Sequence, residues 1–472
     1  MKRIFILTIL LCGAFCVSAS AQEQSQKQSQ GLTNKAERAL VDYINNGDMS
    51  CKWQEADKMR GEGCTIYRLD FTSQTWRESV WSHQLMVIVP DKISHDEVLL
   101  HVAGGSVDTQ TNMPNLYDWN HRAIKFQAGI ATRCEAVTAI LWHVPRQPLY
   151  GNKYEDELLS FTLHKFQQDK DYTWPLLFPM VKSVVRAMDT IEEFTQQKHN
   201  TKVNKFVING FSKRGWTTWL TAGTGDKRVV AIAPMVIDIL NMRVSVPYQK
   251  HMFGSYSIMI QDYIRLGLTE ELVTPSGLEL VKMIDPYSYR EQYTMPKMVF
   301  LGSNDPYWTV DAVKNYIDEI PGTKYTAYST NAGHDLDGEA ITSLEAFFYQ
   351  TINGAKYPKF DYTPRELADH IAIDIKADKK LLKEAIVWEA TSENKDFRKC
   401  RFEPTKVDGV VGKKSFTVNV DYPKEGFKAF IVMLKYKNPT TKQDTYNIST
   451  RMYTADNDEQ FEEAYDITSS NK

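Results

Sequence analysis

Apolar and polar positions follow two styles along the chain. From residue 80 to about 302, short apolar and β-branched runs alternate with segments of helical spacing. Residues 80–90 (VWSHQLMVIVP) alternate and then turn solidly apolar, as a strand does on entering a sheet. Residues 97–103 (EVLLHVA) and 136–144 (AVTAILWHV) are mostly apolar and β-branched runs, the pattern of strands covered on both faces. Residues 179–194 (PMVKSVVRAMDTIEEF) repeat at helical spacing with a proline at the start, where its missing N–H costs nothing. Strand-like runs resume at 203–209, 229–236 and 297–302. Strands that alternate with helices predict a mostly parallel sheet flanked by helices, an α/β fold.

The pattern loosens between 238 and 289 into a helical insertion expected to cap the sheet edge. After about residue 358 strand-like runs at 383–391, 416–422, 427–436 and 444–453 follow one another across turns, and predict a small C-terminal β-sandwich over 358–472. At the other end, Lys2 and Arg3 precede an apolar run of about 14 residues and then Ala19-Ser20-Ala21. That order of charge, apolar core and small residues predicts a signal peptide over 1–21, since a spanning helix needs about 20 apolar residues. Leu11 and Phe15 are too bulky for lipid attachment at Cys12 or Cys16 to be favoured. A Gln/Ser-rich leader follows over 22–34, and the first domain then runs over 35–357. The expectation is an exported protein, periplasmic or secreted, with no transmembrane segment in its mature chain.

Composition narrows the partners. The 56 Lys and Arg against 59 Asp and Glu give a net charge of −3 over 472 residues, so no basic excess is available to track a nucleic-acid backbone. Cleavage after Ala21 would remove Lys2 and Arg3 and lower the charge further. Of the cysteines, Cys51, Cys64, Cys134 and Cys400 remain, without zinc-site spacing. A Cys51–Cys64 bridge and four free thiols are both compatible with their positions.

The chemistry centres on Gly210-Phe211-Ser212-Lys213-Arg214-Gly215, set between a predicted strand and a predicted helix. A serine on such a sharp turn is held over the sheet edge, and the helix that follows aims backbone N–H groups at developing negative charge. A role for Ser212 as a plain helix cap is the simpler rival. Asp305 follows the strand at 297–302, and His334 sits in the loop Asn331-Ala332-Gly333-His334 after the next strand. Ser212, Asp305 and His334 fall in the order nucleophile, acid, base of α/β-hydrolases. Asp311 and Asp335 compete with Asp305 for the acid. Upstream, His101-Val102-Ala103-Gly104-Gly105-Ser106 would place the backbone of Gly104 and Gly105 beside a substrate oxygen, with the N–H of Lys213 completing an oxyanion hole. His334-Asp335-x-Asp337 is a poor metal pattern, and neither metal nor cofactor is expected. The triplet Glu155-Asp156-Glu157 reads as a solvated helix start.

Several segments together resemble the PhoPQ-activated pathogenicity-related protein family, a secreted branch of the α/β-hydrolases. They are Val144-Pro145-Arg146-Gln147-Pro148-Leu149, Glu155-Asp156, the turn around Ser212 through Trp216, Asp238-Ile239-Leu240-Asn241, Ile284-Asp285-Pro286-Tyr287-Ser288-Tyr289-Arg290 and Asn331 to His334. The resemblance spans about residues 42–362 and extends into the sandwich, and it implies an α/β-hydrolase fold with the same triad at Ser212, Asp305 and His334. It implies no substrate. At the acid, Asn304-Asp305-Pro306-Tyr307-Trp308 stands where the family usually reads Asp-Glu-Phe-Phe.

Arg214 occupies the position where hydrolase elbows commonly place glycine, much as in glucuronoyl esterases. Lys213 or Arg214 would then face the substrate and favour an anionic or carbohydrate-derived ester, unless both pair with carboxylates. Trp308 is expected to line the pocket. The leading expectation is a secreted serine esterase acting through an acyl-enzyme on a small-molecule or glycan-derived ester, with a peptidase less favoured. The rivals are a catalytically silent extracellular binding or signalling protein on the same fold, and a carbohydrate-binding accessory protein.

Overall fold

The computed structural model describes residues 35–440 and 445–456, so the expected signal peptide and leader lie outside it. Helix α1 (Lys35–Ile44) buries Leu40 and Tyr43, and three antiparallel strands follow: β1 (Lys52–Gly61), β2 (Cys64–Trp76) and β3 (Ser79–Pro90). The α/β portion then runs β4 (Glu97–Val102), α2 (Arg122–Cys134), β5 (Val137–Leu141), α3 (Glu155–Asp169), α4 (Leu177–His199), β6 (Lys205–Phe211), α5 (Lys213–Gly223) and β7 (Val229–Met235). Helices α6 (Met242–Phe253), α7 (Gln261–Arg265), α8 (Leu268–Glu271) and α9 (Pro275–Ile284) intervene before β8 (Lys297–Gly302), β9 (Lys324–Ser329) and α10 (Gly338–Ile352).

The main sheet runs β1-β2-β3-β5-β4-β6-β7-β8-β9, and its six strands from β5 to β9 are mutually parallel. Both faces of the parallel part are covered, which is why its strands read as unbroken apolar runs. In β4, Val98, Leu100 and Val102 face one buried cluster with α4 and α5, while Leu99 faces the opposite one with α10. The chain steps from β4 outward to β5 and then returns across β4 to place β6 on its other side. This reversal is a topological switch point, where the loops leaving β4 and β6 part and open a crevice at the carboxyl ends of the strands. Together with the helical insertion between β7 and β8, this is the α/β-hydrolase fold.

The C-terminal strands β10 (Phe360–Glu366), β11 (His370–Ala377), β12 (Leu382–Ser392), β13 (Glu403–Lys406), β14 (Ser415–Asp421), β15 (Phe427–Lys437), β16 (Thr445–Ser449) and β17 (Tyr453–Asp456) form two layers. One is a separate sheet, β10-β11-β14, and the other continues the main sheet, because β16 pairs with β9 at Ser449 and Thr326. Ile371, Ile373 and Val418 share a buried cluster with Phe430, Val432 and Leu434 of β15. Further links are Asn447 N–H donating to Ser343 Oγ at 3.0 Å, and the Thr454 hydroxyl donating to Asp311 at 2.8 Å. The sequence pattern predicts a sandwich here but carries no sign that one of its layers extends the main sheet. Nor does it predict β1, a mostly polar edge strand whose side chains are exposed or half-buried. The Cys51, Cys64, Cys134 and Cys400 thiols are all free.

Edge pairing and a shared core make the α/β and C-terminal portions one cooperative unit. Scanning calorimetry of residues 35–472 is expected to give a single unfolding transition. Two separated transitions would contradict this coupling.

Candidate active site

Ser212 sits between β6 and α5 with φ 56° and ψ −121°, a strained conformation for a residue other than glycine. Its N–H donates to Met235 O at 2.8 Å, and its carbonyl accepts from Trp216 N–H at 2.9 Å, so strand and helix both clamp the turn. The turn closes only because two neighbours lack side chains. A Cβ at Gly210 would lie 2.8 Å from the Arg214 backbone, and one at Gly215 would lie 2.8 Å from Met235 O. The glycine that the elbow requires is therefore Gly215, which leaves position 214 free to carry arginine.

Asp305 and His334 leave the adjacent strands β8 and β9 and meet above the sheet. His334 Nδ1 and Asp305 Oδ2 are 2.7 Å apart, and Asp305 Oδ1 accepts the Tyr307 N–H at 2.9 Å. The imidazole's Nε2 is buried and has no hydrogen-bond partner among the described residues. Tyr307 stacks on His334 with ring centroids 4.3 Å apart and lines the same cavity as Ser212. Of the competing acids, Asp311 is fully buried and paired with Lys314 Nζ at 2.8 Å and the Tyr248 hydroxyl at 2.9 Å. Asp335 is exposed, and Asp337 caps α10 by accepting from Glu339 and Ala340 N–H. Among the described residues no cluster of three or more His, Cys, Asp or Glu could hold a metal ion.

The acidic triplet differs from its expected solvated role. Helix α3 does start at Glu155, but its first two carboxylates turn inward. Arg214 grips Glu155 through both terminal nitrogens, at 2.7 and 2.6 Å, and donates from Nε to Val144 O at 2.5 Å. Lys213 Nζ lies 2.8 Å from Asp156 and 3.4 Å from Glu155. Burial would raise the Glu155 pKa, but the charges of Arg214 and Lys213 and a hydrogen bond from Gln147 outweigh it and hold the carboxyl at about 2. Only Glu157 keeps the expected surface role, paired with Lys153.

Arg214 therefore does not face the cavity as expected. It packs beneath the 104–105 loop, where a Cβ at Gly104 would come within 2.6 Å of its guanidinium. Gly105, at φ 151°, lies over the His143 ring, and its carbonyl accepts from Gln147 Nε2 at 3.0 Å. Glycines are required at 104 and 105 by these close approaches. Gln147 also holds Glu155 through two hydrogen bonds, so the elbow, the 104–105 loop and the start of α3 form one network.

Lys213 and Trp308 do line the cavity, with Trp308 Nε1 fixed to Val236 O at 3.1 Å. Sequence reasoning missed Asp156, Tyr263 and Tyr307. The Tyr263 hydroxyl donates to Asp156 Oδ1 at 3.0 Å and the Tyr307 hydroxyl to Oδ2 at 3.3 Å. Burial and the Asp156 charge keep both phenols protonated well above their ordinary range. The signal for Asp156 was present, since two basic residues directly after Ser212 call for two acids elsewhere.

The profile of the PhoPQ-activated pathogenicity-related protein family matches residues 40–398. The chain belongs to this family. It is also 30% identical over 432 residues to autocrine proliferation repressor protein A of Dictyostelium discoideum, covering 84% of this chain and 85% of that protein. Among solved structures it is similar to acetyl xylan esterase 1 of Thermoanaerobacterium sp., at 16% identity and TM-score 0.47, covering 67% of this chain and 92% of that one. An acetyl xylan esterase of Paenibacillus sp. R4 aligns at 14% identity and TM-score 0.43, over 64% and 90% of the two chains. The family segments singled out above brace this site. Asp285 accepts the N–H groups of Asn241 at 3.2 Å, Met242 at 2.7 Å and Tyr287 at 2.9 Å, tying both ends of the helical insertion together. Trp216 donates to Ile284 O at 2.6 Å and fastens that insertion to α5.

Removing Arg214 leaves Glu155 with only Lys213 and Gln147. Arg214→Met is expected to lose about 3 kcal/mol of unfolding free energy, the low end for a buried pair because Glu155 keeps an edge in solvent. Because Glu155 titrates lower folded than unfolded, the wild-type advantage over this variant should be whole above about pH 4.5 and fade as pH falls toward about 2. Urea denaturation at pH 7 and pH 3 checks both; a constant difference would contradict the pairing.

Proposed function

We propose that this protein is an exported serine hydrolase that cleaves carboxylic esters. The observation that carries the reading is the His334–Asp305 pair at 2.7 Å, with its second imidazole nitrogen unpartnered, at the strand edge that also holds the strained Ser212. His334 Nε2 takes the Ser212 proton as the oxygen attacks the ester carbonyl, and Asp305 holds Nδ1–H and stabilises the imidazolium. The oxyanion accepts from the Lys213 N–H, at the free N-terminal end of α5, and from the 104–105 loop. Collapse expels the alcohol, which takes the proton from His334, and leaves an ester on Ser212. Water then attacks that ester, giving its proton to His334, and Ser212 recovers a proton as the acid departs.

A second reading, an extracellular regulatory protein on the same fold, draws on the name of the Dictyostelium relative, a proliferation repressor. A fluorophosphonate probe separates the two. Labelling of the wild type and its loss in Ser212→Ala is expected, and Asp305→Asn should lower ester turnover on the order of 10³- to 10⁴-fold by favouring the wrong imidazole tautomer. An unlabelled wild type would favour the regulatory reading. Export is tested separately: in a secreting bacterial host, mass spectrometry of the mature protein is expected to find Gln22 at the N-terminus, and an intact Met1 would refute cleavage.

A further inference from the structure

The cavity that opens at Ser212 is built for one kind of acyl group. Its wall is aliphatic and indole: Leu163, Ile239, Val246, Ile260, Leu280 and Trp308 are among its side chains, supplied largely by the helical insertion. It encloses about 70 Å³ accessible to the centre of a water molecule. At about 10–15 Å³ per water on that measure, the space holds on the order of five to seven waters, or a chain of similar heavy-atom count.

Its mouth is polar but electrically closed. The Lys213 ammonium is 2.8 Å from Asp156, whose carboxylate also accepts the Tyr263 and Tyr307 hydroxyls. Arg214 is committed to Glu155 and lies outside the wall. Among the described residues Lys213 is the single cation on the wall and its charge is already matched, so a substrate carboxylate brought here would lose water and displace Asp156. Thr269, also on the wall, offers one hydroxyl, buried and without a partner among the described residues, and no charge.

Resting on the esterase reading, we propose that the acyl half of the substrate is a neutral, apolar chain of about six to eight carbons with the carbonyl carbon at Ser212 counted, and that the helical insertion, through Leu280 and Val246, sets its length. The basic residues after the nucleophile thereby act as counter-ions for the α3 carboxylates.

The test uses the full mature protein and p-nitrophenyl esters of acetate, butyrate, hexanoate and octanoate, with the half-ester of glutarate as the anionic probe. Fluorophosphonate labelling lost in Ser212→Ala is established first, independently of any ester. On labelled protein, kcat/KM is expected to rise about fourfold per added methylene up to hexanoate or octanoate. The glutarate half-ester should fall at least 100-fold below hexanoate. Leu280→Trp, which fills the cavity, should lower the octanoate-to-acetate ratio of kcat/KM at least tenfold, a ratio that a general loss of folded protein would not move. A maximum at acetate, a preference for the glutarate half-ester, or an unchanged ratio in Leu280→Trp would overturn the acyl assignment while leaving the serine hydrolase standing. An unlabelled wild type would overturn the esterase reading itself, and this inference with it.

Discussion

The bidentate pair between Arg214 and Glu155 is the interaction on which the site's geometry depends. One side chain, two residues beyond Ser212, reaches the start of α3, the carbonyl of Val144 and the underside of Gly104. It therefore fixes the strand-to-helix turn, the loop leaving β4 and the helix that roofs the crevice relative to one another. Two loops that diverge at a topological switch point have no backbone pairing to hold their spacing. A planar, permanently charged fork supplies it with directional hydrogen bonds, which a lysine's point charge would not. Glu155 itself adopts φ 47°, a conformation uncommon outside glycine, and its N–H and carboxylate are both held by Gln147.

The same logic extends outward from the pair. Lys213 and Asp156 repeat the arrangement one residue earlier on α5 and one later on α3, and two tyrosines complete the shell around the carboxylate. The charges of Lys213, Arg214, Glu155 and Asp156 are thus matched to one another before any ligand arrives. Farther out, Asp285 closes the helical insertion at both ends, and its full burial raises its pKa to about 7 against the pull of three backbone N–H groups. Asp311 does comparable work between the insertion and the C-terminal strands, through Tyr248, Lys314 and Thr454. Buried carboxylates here serve as struts: Asp285 is held by three backbone N–H groups, and Asp311 gathers two hydroxyls and the Lys314 ammonium on one of its oxygens.

The sequence by itself determined the α/β rhythm, the elbow at Ser212 and the order of Asp305 and His334, because each is written in local terms. Apolar runs of strand length, a glycine beside a strained turn and loops directly after strands need no knowledge of distant partners. Only the tertiary structure decided what Lys213 and Arg214 face, since a cation's partner is fixed by where α3 lands, some 60 positions earlier in the chain. The same holds for Asp311 against Asp305, which differ in the buried neighbours each meets rather than in local spacing. The polar edge strand β1 and the joining of β16 to β9 were likewise invisible: edge pairing is made by backbone groups that every residue carries, and side-chain patterns record burial, not the neighbour that causes it.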